Sequence, residues 1–210
     1  MAVRNQMKES DAESEKQFVA FVAGVDGCKS GWVWFKLYES GRTECDLVNL
    51  PRILKERPLG LAALAIDIPI GLLNGPRACD GAARRLLEPP RASSAFFAPC
   101  REALSAKDYG SACDVNSART GKRLSRQSWS IGRKIKEVDD PTKPDHQRWA
   151  FEVHPELCFW HFSGRTAMPH GKKSLLGRSE RIKVLESRKN FSWGCFLGRR
   201  VFRSRCGFRS

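Results

Sequence analysis

The chain has 210 residues, 41% hydrophobic and 29% charged, a balance that suits one globular domain with a substantial core. Its net charge of +14 points toward polyanionic partners such as nucleic acid, although Arg188 to Ser210 alone supplies seven basic residues and no acid, leaving +7 on the rest. The opening MAVRNQMKESDAESEKQ lacks an apolar signal core, and the longest apolar run, LGLAALAIDIPIGLL, is cut by Asp67 and Pro69, so the expectation is neither a secreted nor a membrane-spanning protein.

Eight cysteines, at positions 28, 45, 79, 100, 113, 158, 195 and 206, form no C-x-x-C pair. Disulfide and zinc frameworks need clustered or regularly spaced ligands, so these read as reduced, mostly buried thiols of a cytoplasmic protein.

Residues 1–16 are polar and read as a disordered leader, followed by a domain over 17–189 and an irregular basic tail over 190–210. From Phe18 to about Val25, alternating apolar residues predict a first strand. WVWFKLY follows after the Gly27–Gly31 turn as a second strand, and ECDLVNL after the ESGRTE hairpin turn as a third. PRILKERP is a short helix opened by proline. LAALAIDIP, almost continuously apolar, has the pattern of a parallel strand covered on both faces, reached through a helical crossover. ACDGAARRLLE is a helix stopped by Pro89 and Pro90, and residues 101–118 and 124–140 have helical spacing. WAFEVHP returns to strand alternation, and helices follow from Pro155 and over SERIKVLESRK. These connections predict an α/β fold: a mixed five-stranded sheet in the order 3-2-1-4-5 with helices on both faces.

In that order the first and fourth strands lie side by side and parallel. Asp26 and Asp67 then emerge at one carboxyl edge, where open α/β sheets bind ligands. Two carboxylates brought together repel unless one is protonated or a divalent cation lies between them. Glu152, near the end of the fifth strand, would supply a third oxygen ligand. Three acids on three strand ends suit Mg²⁺ or Mn²⁺, water activation and phosphodiester cleavage. The plain alternative is that the aspartates cap turns at Gly27 and Pro69.

GVDGCKSGWV, AIDIPIGL, R-x-C-D-x-x-A-R (Arg77 to Arg84), R-x-S-S-x-F (Arg91 to Phe96), LSRQSW-x-I-x-x-KI-x-EVD and FEVHPELCF occur in this order. Together they resemble the signature of the DUF429 family, a set of uncharacterised proteins regarded as predicted RNase H-like nucleases, over about residues 18–189. The resemblance implies an RNase H-like fold and an acidic metal site at Asp26, Asp67 and Glu152. Such enzymes generally carry a further carboxylate on a helix near the C-terminus. Here only Glu180 and Glu186 follow Glu156, and both read as exposed.

Several donors surround the expected edge. Arg77, Arg84 and Arg91, with Ser93 and Ser94, form a segment able to grip phosphate through forked hydrogen bonds, unless the arginines are a solvated helix face and Asp80 pairs with one of them. Gln127 and Lys134, seven apart, share a helix face aimed at the edge. Lys29 lies in the turn after Asp26, where a cation neutralises the acids or meets a scissile phosphate. His154 is a weak candidate for a general base, and Glu156 reads as a helix-start residue. Nothing nearby marks Cys28 as a nucleophile. Trp32 and Trp34 read as packing.

The tail KNFSWGCFLGRRVFRSRCGFRS interleaves arginine with aromatics, as a nucleic-acid-binding arm does. Its abrupt change of composition instead favours a truncated or frame-shifted end, which leaves the site one ligand short. Three functions follow: a Mg²⁺-dependent nuclease acting on nucleic acid, a nucleotide-binding phosphotransferase similar to the actin-like sugar kinases, whose strand–DG–turn–strand opening G-V-D-G resembles, or a non-catalytic nucleic-acid-binding protein with an incomplete site.

Overall fold

A computed structural model describes residues 19–188; Phe18, the expected leader and the basic tail, with Cys195 and Cys206, lie outside them. The first strand, β1 (Phe21–Cys28), alternates buried Phe21, Ala23 and Val25 with exposed Gly24 and Asp26, the two-residue period of a pleated strand. It pairs antiparallel with β2 (Gly31–Tyr38), which buries Trp32, Trp34 and Tyr38 on the same face. Here β1 outruns its expected end near Val25, because the hairpin ladder continues to Cys28 opposite Gly31.

β3 (Thr43–Val48) completes the meander. Helix α1 (Leu50–Lys55) starts where the Asn49 side chain accepts from the Arg52 N–H at 2.9 Å, satisfying one of the free amides of its first turn. The chain then crosses to β4 (Leu61–Ile66), parallel to β1. Helices α2 (Ala78–Arg91), α3 (Tyr109–Thr120), α4 (Arg126–Ser130) and α5 (Gly132–Asp139) intervene before β5 (Ala150–Glu152), which is parallel to β4. Helices α6 (Pro155–Phe162) and α7 (Leu175–Glu186) follow. The sheet order is β3-β2-β1-β4-β5, so the protein is an α/β fold with a mixed five-stranded sheet and, among the described residues, seven α-helices.

Two expected helices are broken. Residues 101–118 divide into a 3₁₀ turn (Arg101–Ser105) and α3, whose N-cap Asp108 accepts from the Ser111 N–H at 2.8 Å. Residues 124–140 divide at Ile131 into α4 and α5. Within α2 the chain leaves helical geometry at Glu88 and Pro89, each of which precedes a proline.

The core lies on one face of the sheet. There α1 and α5 bring Leu50, Ile53, Leu54, Ile135 and Val138 onto Phe21, Val25, Trp32, Trp34, Leu64 and Ile66. Each fully buried aliphatic contributes roughly 1.5–3 kcal/mol. On the other face, Phe35, Leu37 and Leu47 remain exposed among the described residues. The described cysteines form no disulfide; Cys100 and Cys113 are buried but Cys45 is exposed and three others are half-buried, so burial is less general than composition implies. Among the described residues no helix is long and apolar enough to cross a membrane.

Candidate functional site

Two parallel strands end together. Val25 of β1 stands opposite Ile66 of β4, and the Asp67 N–H donates to the Val25 carbonyl at 3.0 Å. The next residues, Asp26 and Asp67, therefore share a register and a face. Asp26 accepts from the Gly27 N–H at 2.7 Å and is exposed, whereas Asp67 is half-buried. Burial, and then the Asp26 charge, push the Asp67 pKa above the usual carboxylate range. His154 and Lys172 work against that shift, and Glu152 adds a smaller repulsion.

Glu152 departs from the expected arrangement. It stands opposite Ile66, one residue out of phase with Asp67, so strand alternation assigns it to the other face. Its Oε2 accepts from the Ile70 N–H at 2.9 Å and from Arg77 Nη2. Burial raises the Glu152 pKa, with Arg77 and the Ile70 N–H opposing. The carboxylate thus ties the chain after β4 to the end of β5. Among the described residues no group of three or more His, Cys, Asp and Glu side chains is placed to hold a metal ion, and Asp26 and Asp67 are the two expected acids that the strand register sets side by side.

Arg77 is buried between two acids. Its Nη2 lies 3.6 Å from Asp80 Oδ1 as well as against Glu152, which bears out the expected pairing of Asp80 with an arginine. Burial works against the Arg77 charge, but Glu152 and Asp80 overcome it and raise the pKa. Asp80 also accepts from the Ala98 N–H at 2.8 Å.

The other expected donors fall in three places. Arg77, Arg84, Ser93 and Gln127 line one cleft beside α2. Lys134 reaches the β1–β2 turn, donating to the Gly31 carbonyl at 2.6 Å and lying 4.6 Å over the Trp32 ring, so it braces the turn that follows Asp26. Lys29 is exposed in that turn. Arg91 is half-buried, and a Cβ on Gly171 would meet its guanidinium at 3.4 Å. Ser94 acts through its carbonyl, which accepts from His154 Nε2 at 3.0 Å. A carbonyl only accepts, so Nε2 carries the proton; the buried Nδ1 has no hydrogen-bond partner among the described residues.

Cys158 and Lys172 were not singled out by sequence. Cys158 lies one helical turn after His154, a spacing visible in FEVHPELCF. Burial and the Asp67 charge raise its pKa, which keeps it a thiol rather than a nucleophile. Lys172 precedes α7 and carries no sequence signal. Glu156 takes the expected helix-start position and is buried against Arg181 of α7.

No curated protein and no solved structure matches the chain. A family model described as a protein of unknown function, DUF429, matches residues 24–203, a span that holds all five strands from Gly24 onward and every residue of the site. The chain belongs to the DUF429 family.

Proposed function

We propose that the protein is a metal-dependent nuclease that hydrolyses phosphodiester bonds, with Asp26 and Asp67 holding Mg²⁺ or Mn²⁺. The observation that carries this reading is the pairing of the two aspartates, in register on adjacent parallel strand ends, with Asp67 held reluctant to ionise. A divalent cation relieves the repulsion that raises the Asp67 pKa. Magnesium is commonly held by one or two carboxylates with water and substrate phosphate filling the remaining positions, so two acids fit it where an all-protein cage is lacking. When bound, such an ion lowers the pKa of a coordinated water and neutralises developing charge on phosphate.

The chain's own residues supply the rest. Exposed Lys29, two residues after one glycine of the turn begins, offers a positive charge beside Asp26 for the nucleic-acid backbone. Lys134 holds that turn in place. Glu152, bound to Arg77 and the Ile70 N–H, positions the segment leaving Asp67. His154, Nε2-protonated, leaves its Nδ1 without a hydrogen-bond partner among the described residues, open to a substrate or water donor. The strand order also suits an RNase H-like arrangement, which the motif resemblance implies.

The test is Mg²⁺-stimulated cleavage of single- and double-stranded DNA and RNA. Asp26→Asn and Asp67→Asn should each abolish cleavage without lowering the melting temperature; undiminished cleavage by either variant removes the proposal. One observation favours a second reading, nucleic-acid binding without turnover: among the described residues no group of three or more His, Cys, Asp and Glu is placed to hold a metal ion. That reading predicts salt-sensitive binding that survives both substitutions.

A further inference from the structure

The cleft beside α2 has a volume of about 270 Å³. Its charged lining is Arg77, Arg84, Lys122, Arg123 and Asp80; Arg77 is also held by Glu152 and Arg123 lies 3.3 Å from Asp114, so Arg84 and Lys122 are the lining cations not engaged by an acid among the described residues. Arg77 is only 6% exposed, and while its Nη2 is engaged, its Nη1 is buried without a hydrogen-bond partner among the described residues. A buried cationic donor left unmatched is costly, so an acceptor is expected there. Water can satisfy one N–H, but it does not account for the gathered cations.

The Phe97 ring does the gathering. Lys122 Nζ lies 3.5 Å and the Arg84 guanidinium 5.2 Å from its centroid, so the ring quadrupole draws two like charges to one place. Arg84 is further fixed by donating to the Ala95 carbonyl at 2.6 Å. Phe97 in turn is held by its carbonyl, which accepts from buried Ser128 at 3.1 Å. Converging guanidinium forks and an ammonium suit a doubly charged oxyanion better than a single carboxylate.

We infer that this cleft binds a phosphate monoester, such as the terminal phosphate of a nucleotide or of a nucleic-acid strand. The site requires neither the carboxylate pair nor a metal, so it stands or falls apart from the nuclease reading. Its dimensions admit a phosphoryl group and the sugar attached to it.

Isothermal titration in EDTA with inorganic phosphate, adenosine 5′-monophosphate and a 5′-phosphorylated dinucleotide, against its 5′-hydroxyl counterpart, tests this. Saturable binding of the phosphorylated probes, with none of the 5′-hydroxyl dinucleotide, is expected. Binding of the phosphorylated dinucleotide assigns the source to strand ends; binding of the two small probes alone assigns it to free nucleotide. The paired substitution Lys122→Glu and Arg123→Glu, at exposed positions, should weaken binding by more than tenfold while leaving the melting temperature unchanged, and Arg84→Gln should weaken it similarly. Absence of binding by every phosphorylated probe, equal binding of the 5′-hydroxyl dinucleotide, or unchanged affinity in the paired variant overturns the inference.

Discussion

The Glu156–Arg181 pair joins α6, which carries Cys158 beside Asp67, to α7. Arg181 Nη2 donates to both Glu156 oxygens at 2.7 and 2.8 Å, and both side chains are more than nine-tenths buried. Removing one partner strands an uncompensated charge, which costs about 3–5 kcal/mol. Arg181→Met also deprives the carbonyls of His170 and Gly177 of donors at 3.0 and 2.8 Å, so it should lie at the upper end of that range. Glu156→Gln keeps shape and one acceptor and should lie at the lower end. For a domain of this size the range corresponds to a fall of about 6–20 °C in melting temperature. Glu156→Leu combined with Arg181→Met buries no charge and should recover more than half of the loss seen in Arg181→Met alone. Urea denaturation followed by circular dichroism measures all three, together with Glu156→Leu alone to close the cycle. Losses that simply add in the double variant would refute the reasoning, because they would show two independent neutral contacts rather than a coupled pair.

Asp67 supplies a pH dependence of definite sign. Its folded pKa is raised above the unfolded value, so the folded chain holds the proton more tightly and stability falls as pH rises from about 3.8 through the raised value. Asp67→Asn should flatten that part of the profile and raise the urea midpoint at neutral pH in metal-free buffer; a lower midpoint there contradicts the burial argument. At Gly27, an added Cβ would sit 2.8 Å from Lys134 Cδ. Gly27→Ala should therefore cost about 1 kcal/mol in the wild type and close to nothing beside Lys134→Ala, a coupling that a double-mutant cycle reads directly. Phe35→Ser and Leu47→Ser, at side chains 59% and 58% exposed, should change stability by less than about 0.5 kcal/mol while reducing self-association in light scattering.

The strand order was legible because each connection allowed few alternatives: hairpin turns at Gly27–Gly31 and ESGRTE, then a helical crossover before an all-apolar strand. The Asp26–Asp67 pair followed from that order, since adjacent parallel strands end at one edge. Glu152 did not, because a one-residue difference in register moves a side chain to the opposite face, and the alternation of WAFEVHP does not fix which residue of β4 each one stands opposite. Apolar spacing at 101–118 and 124–140 predicts continuous helix, yet Asp108 and Ile131 mark breaks. Cys158 was within reach of sequence reasoning through its spacing from His154. Lys172, and the meeting of Lys122 with Arg84 over Phe97, depend on how distant segments pack, which no local periodicity encodes.

The central claim is that Asp26 and Asp67 together hold a divalent cation. Electron paramagnetic resonance titration of Mn²⁺ measures this without any assumption about substrate. Wild-type protein should deplete the free Mn²⁺ signal saturably, and Asp26→Asn or Asp67→Asn should each weaken that depletion by at least tenfold. Depletion that is absent in the wild type, or undiminished in either variant, would contradict the account.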